Sequence, residues 1–134
     1  MNDRDFATAF ERCEIAGDDF HHRDHVRLAW TYLRDLPLLD ALTRFTTSLK
    51  RFAAHNGADG LYHETITWAY LLLIHERMER NPAGDFDSFA ATNPDLFAWK
   101  PSILDQYYDQ ETLDSPLARR TFVMPTKATY ETLR

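Results

Sequence analysis

The sequence predicts an all-α protein. Apolar residues recur at helical spacing along most of the chain, and no alternation of apolar and polar residues continues for six positions. Glycines, prolines and capping residues separate these helical segments from one another. Four longer segments come first and several short ones follow, which predicts a four-helix core with a C-terminal wrap of short helices.

The first two helices are predicted from their apolar faces and their ends. Phe6, Phe10 and Cys13 lie at i, i+4 and i+7, which places them on one face of a short first helix. The second helix is expected from about His22 to Arg34. The segment 35–37 ends it, because the residue before a proline avoids helical angles.

The third and fourth helices carry the strongest patterns. One face of the third helix is an apolar stripe, formed by Leu38, Leu42, Phe45, Leu49 and Phe52. Asn56-Gly57 ends this helix, since glycine tolerates the left-handed conformation found there. The fourth helix is expected from about Leu61 to Arg80, and it is apolar nearly all round, as is typical of a central helix.

The remaining chain predicts short helical pieces within the same domain. Asn93-Pro94 and Ser115-Pro116 each combine a capping residue with a proline at the first helical position. A chain of 134 residues is the usual size of one domain, so residues 1–134 are expected to form a single helical domain.

Composition excludes several classes of protein. The net charge of −6 argues against nucleic acid as a partner, because nucleic acid attracts basic surfaces. The longest apolar run, residues 68–74, is much shorter than a membrane-spanning helix, so no membrane contact is expected. The single cysteine and the polar N-terminus favour a cytoplasmic protein. The oligomeric state is left open.

The first motif with chemical potential contains His22 and His25. Residues three positions apart on a helix are neighbours, with Cβ atoms roughly 5–6 Å apart. Two imidazoles at that separation can converge on one metal ion or on one polar substrate group. Alternatively, both histidines are exposed polar residues of a first helical turn, where Asp24 complements the helix dipole.

The second motif, Tyr62-His63-Glu64-Thr65-Ile66-Thr67, opens the fourth helix. It is not the H-E-x-x-H zinc motif, because Thr67 stands where the second histidine would be. His63 is a candidate ligand or general base, and Glu64 a candidate ligand, catalytic base or carboxylate that orients an imidazole. Alternatively, Glu64 is a first-turn acid that favours the helix dipole.

Together the two motifs predict a site at one end of the bundle. If the second and fourth helices pack side by side, His22, His25 and His63 meet there. Three histidines suit zinc, iron, nickel or copper and leave positions open for substrate. The leading interpretation is a histidine-lined pocket that binds a divalent metal and, in an enzyme, would act on a small molecule with Glu64 as base. A metal-free pocket for a small ligand and a structural interaction protein are the alternatives.

The two motifs also carry a resemblance. F/W-x-H-x-x-H followed by Y-H-E-T-x-T resembles a family of small, uncharacterised bacterial all-helical proteins. The matching residues of this sequence are Phe20, His22, His25, Tyr62, His63, Glu64, Thr65 and Thr67. The resemblance extends into the C-terminal third of the chain and implies the same helical fold, but it implies no particular activity.

Overall fold

The computed structural model describes residues 1–127, and the regular elements in that range are helices. Seven of them are α-helices: α1 (Asp3–Glu11), α2 (His22–Asp35), α3 (Leu38–His55), α4 (Glu64–Arg80), α5 (Phe86–Thr92), α6 (Gln110–Leu113) and α7 (Pro116–Arg120). The all-α prediction is confirmed. The predicted domain runs to residue 134, and its end, from residue 128 onwards, lies outside the described residues.

The predicted end of the first helix is wrong at Cys13. Helix α1 ends at Glu11, and Cys13 has a left-handed backbone with φ of 57°. This conformation lets the Glu14 N–H donate to the Ala9 carbonyl at 2.9 Å, which closes the helix end. Cys13 is therefore a helix-ending residue with a partly exposed side chain, and it does not continue the apolar face.

The predicted start of the fourth helix is also wrong. Residues Asp59–Leu61 form a separate 3-10 turn, and α4 begins at Glu64. His63 is the N-cap residue, with an extended backbone at φ of −135° and ψ of 110°. His63 therefore precedes the helix, and helical geometry does not orient its side chain.

Packing centres on α2 and α4. Helix α2 contacts α1, α3 and α4, while α4 contacts α2, α3 and the short α7. The predicted stripe of α3 is buried from Leu42 to Phe52, and buried side chains from Phe6 to Leu113 form one continuous cluster. Within residues 1–127, none of the helices combines the length and apolar character that crossing a membrane requires.

Candidate functional site

A cavity of about 820 Å³ lies between α2, α3 and α4. Most of its wall is apolar and comes from the faces of the three helices: Val26, Phe45, Leu49, Phe52, Ile66 and Ile74. His22, His25 and His63 all line this one cavity, because the first turn of α2 packs beside α4. The three histidines nevertheless have different hydrogen-bond environments.

His22 has one ring nitrogen committed to the protein. Its Nε2 lies 2.9 Å from the Leu96 carbonyl oxygen, and because a carbonyl can only accept, Nε2 carries the hydrogen. The ring packs against Tyr70 and Trp99, with centroid distances of 5.0 Å and 4.9 Å. Burial lowers the pKa of His22, opposed by the hydrogen bond to Leu96. In the neutral ring Nδ1 is a lone-pair acceptor, for which we find no partner within residues 1–127.

The imidazole of His25 makes no hydrogen bond to the described part of the chain. Its ring packs on Phe20 at a centroid distance of 4.3 Å and lines the cavity. Burial, with a smaller contribution from the nearby His22, lowers the pKa of His25 to about 4. At neutral pH His25 is therefore an uncharged imidazole with one donor and one acceptor available.

His63, in contrast, uses both ring nitrogens within the protein. Nδ1 accepts the Ile66 N–H at 3.1 Å, and Nε2 donates to the Leu113 carbonyl at 2.7 Å. The first bond caps α4 and the second ties the start of α4 to the end of α6. A metal ion could bind His63 only if one of these bonds were broken.

Glu64 is held outside the cavity. Its carboxylate accepts a hydrogen bond from the Tyr62 hydroxyl, and Lys50 Nζ lies 3.8 Å from the same carboxylate. The Lys50 ammonium also lies 5.2 Å from the centre of the Tyr62 ring. Tyr62 itself lines the cavity, whereas Glu64 does not, so in this arrangement Glu64 positions a wall residue.

The two threonines of the second motif also serve the fold. Thr65 is fully buried; its hydroxyl donates to the Thr121 carbonyl at 2.8 Å and accepts the Val123 N–H at 3.0 Å. The Thr67 hydroxyl donates to the backbone carbonyl of His63 at 2.7 Å. The motif thus fixes the start of α4 and anchors the segment that follows α7.

Sequence reasoning missed Tyr70 and Trp99 as site residues. Tyr70 lies within the apolar run of α4, where an aromatic ring is usually part of the core. In the structure its hydroxyl is hydrogen-bonded to Ser102 at 2.7 Å. Trp99 lies 74 residues from His25, and about half of its surface is exposed. No periodic pattern in the sequence includes Trp99, and its place beside His22 depends on the tertiary fold.

Arg119 lies at the opposite end of the cavity. Its guanidinium donates to the Gly60 carbonyl at 2.9 Å, beside Tyr62. Tyr62 precedes α4, and Tyr70 lies six residues beyond the first residue of the helix, Glu64, a rise of roughly 9 Å at 1.5 Å per residue. The cavity therefore has two ends. The Arg119 end lies near Tyr62, and the histidine end, with His22 and His25, lies near Tyr70.

The residues present do not form a complete metal centre. Across residues 1–127, no group of three or more His, Cys, Asp or Glu side chains is arranged to hold a metal ion. The unpaired nitrogens of His22 and His25 are two potential donors, fewer than the three protein ligands of typical catalytic zinc sites. The three-histidine metal site remains a prediction.

Comparisons of the chain with models of known protein families, with curated proteins and with solved structures found no match. The resemblance to small bacterial helical proteins therefore stays a prediction from the two motifs and the similar C-terminal stretch.

Proposed function

We propose that the protein binds a small organic molecule in the cavity between α2, α3 and α4, without a metal ion. The observation that carries the proposal is the unpaired His25 ring in a largely apolar cavity of about 820 Å³. Cavities of roughly 300–1,000 Å³ with apolar walls and a few converging polar groups are typical ligand sites. The His25 ring is partly exposed, so a ligand in the cavity can reach the ring nitrogens that the protein leaves unpaired.

The proposal includes the finer architecture expected from the sequence. In it, α1 to α4 form a four-helix core, and the short C-terminal helices wrap around one end of it. The hydrogen bonds from His22 to Leu96 and from His63 to Leu113 support this arrangement. They attach the C-terminal segments directly to the cavity wall.

A fragment screen tests binding. Ligand-observed NMR with small aromatic and aliphatic alcohols, amides and acids should detect binders to the wild-type protein, with a chelator present. Ile66→Phe adds volume to the cavity wall, so it should weaken those binders at least about tenfold. Leu72→Phe is the matched control, because Leu72 is on the same helix but does not line the cavity.

Two outcomes would contradict the proposal. One is a screen that finds no binder. The other is a set of binders that Ile66→Phe and Leu72→Phe affect equally, since binding would then occur elsewhere. Circular dichroism and thermal unfolding of both variants establish that each is folded before binding is compared.

A divalent metal is the second candidate, favoured by the neighbouring free nitrogens of His22 and His25. In this case the ion would take its remaining ligands from water or substrate. Elemental analysis of protein purified without a histidine tag, followed by calorimetric titration with zinc, iron(II), nickel and copper, tests it. His25→Ala should then abolish binding and His75→Ala should not, because His75 does not line the cavity.

A further inference from the structure

Resting on the proposed function, a narrower inference concerns the chemical class of the ligand. We propose that the ligand is a flat aromatic molecule carrying a hydroxyl or N–H donor, which it directs at His22 and His25 from between the rings of Phe20, Tyr70 and Trp99. Simple phenols are the smallest members of this class.

The fixed tautomer of His22 determines the polarity of the site. Because Nε2–H donates to the Leu96 carbonyl at 2.9 Å, the neutral His22 ring offers only an acceptor, Nδ1, to a ligand. His25 has no such bond and can present either a donor or an acceptor. A ligand hydroxyl satisfies both rings: it donates to one imidazole and accepts from the other. An ether or a hydrocarbon cannot satisfy the His22 acceptor.

Aromatic side chains surround the two imidazoles. Phe20 lies against His25, while Tyr70 and Trp99 pack on His22. The Tyr70 and Trp99 rings are 6.4 Å apart and inclined by only 29°. Aromatic rings attract one another in offset-stacked and edge-to-face arrangements, so these walls favour a flat ring over a branched aliphatic chain.

Charge argues against an ionic ligand at this end. The cavity lining contains one acid, Asp18, and one permanent cation, Arg119. Arg119 lies at the other end, bonded to the Gly60 carbonyl, and Asp18 is an exposed residue of the turn Gly17–Asp19. Apart from the exposed Asp18, the histidine end therefore has no Asp, Glu, Lys or Arg side chain to pair with a charged ligand.

The test compares 4-ethylphenol with 4-ethylanisole, which keeps the ring and oxygen but replaces the donor with a methyl group. Calorimetric titration of the wild-type protein should show 4-ethylphenol binding at least about tenfold more tightly. The expectation follows from one added hydrogen bond in a site that otherwise leaves an acceptor unpaired. A third probe, 4-ethylbenzoate, should bind more weakly than 4-ethylphenol.

Three histidine-to-phenylalanine variants test which rings cause the preference for 4-ethylphenol. His22→Phe and His25→Phe keep an aromatic ring but remove its nitrogens, so each should reduce the preference for 4-ethylphenol to below about threefold. His75→Phe is the matched control and should retain it.

Wild-type fluorescence gives a second readout, because Trp99 forms part of the wall and binding should change its emission; in Trp99→Phe that change should disappear.

The possible failures are separable. Equal affinity for the two neutral probes, or tighter binding of 4-ethylbenzoate, would overturn the inferred ligand class. Failure of all three probes, while other fragments bind in a manner sensitive to Ile66→Phe, would overturn the class and leave the proposed function standing. Absence of any binder would overturn both.

Discussion

The two histidine motifs can be compared residue by residue, because each lies at the start of a helix that lines the same cavity. In the first, the His25 ring has no hydrogen-bond partner within the described chain and lines the cavity. In the second, His63 pairs both nitrogens, to Ile66 and Leu113. Lining a cavity therefore does not by itself give a histidine a role in binding. The hydrogen bonds already made decide which ring is available to a ligand.

The largest expected effect separates the two histidines by stability. His63→Phe leaves the Ile66 N–H and the Leu113 carbonyl without their partner, and we expect a loss of about 2–4 kcal/mol in the free energy of unfolding. His25→Phe breaks no hydrogen bond and should change it by less than about 1 kcal/mol. Urea unfolding at pH 7.5 measures both.

His63→Asn sharpens the same comparison. Asparagine is a favourable N-cap residue whose oxygen can accept the Ile66 N–H, but it is too short to maintain the bond to Leu113. Its stability should fall between wild type and His63→Phe. Equal losses for His63→Phe and His25→Phe would contradict the division of roles.

A smaller change in the free energy of unfolding, at most about 3 kcal/mol, is expected when the pH is lowered. The pKa of His25 is about 4 in the folded protein against 6.5 as its ordinary value, and that of His22 is also lowered. The unfolded chain therefore binds more protons between these values, so stability should fall as the pH drops from about 6.5 towards 4. Asp35 titrates below this interval, because its hydrogen bond with Arg4 holds its pKa at about 2.

Chemical denaturation at several pH values, in the presence of a chelator, measures this dependence. In His25→Phe the decline should be shallower and should retain only the part due to His22. A wild-type stability that stays constant from pH 6.5 to 4.5 would show that neither ring resists protonation in the fold.

The smallest effect is expected at Glu64, because its carboxylate lies outside the cavity. Glu64→Gln keeps a hydrogen-bond acceptor for Tyr62 and removes only a partly exposed ion pair with Lys50. Such pairs contribute little, so stability should change by less than about 1 kcal/mol. Affinity for cavity ligands should stay within about threefold, measured by calorimetric titration. A much larger loss of affinity would give Glu64 a direct role at the site.

Helical periodicity was sufficient to predict the fold class and most helix positions. The buried stripe from Leu42 to Phe52 follows from apolar spacing, and the ends of α2 and α3 follow from Pro37 and Asn56-Gly57, all of which depend only on local geometry. The start of α4 could not be predicted in this way. It depends on His63 acting as a cap, a role that single-sequence patterns assign to Ser, Thr, Asp or Asn.

The candidate site was only partly predictable for a related reason. Spacing on one helix brought His22 and His25 together, and two neighbouring helix starts brought His63 to the same cavity. The partners that distinguish these rings, Leu96 and Leu113, are backbone carbonyls, and any residue supplies a carbonyl. Their involvement depends on the tertiary path of the chain, which no side-chain motif records.

The same long-range bonds have a consequence for the order of folding. His22 is joined to Leu96, His63 to Leu113 and Thr65 to Val123, over separations of 74, 50 and 58 residues. Contacts this distant in sequence form slowly, because a long loop must first be closed. During synthesis α1 to α4 emerge from the ribosome well before these carbonyl and amide partners exist. We therefore expect the cavity to take shape later than the contacts within α1 to α4, and ligand affinity to appear only once the chain has been made through Val123.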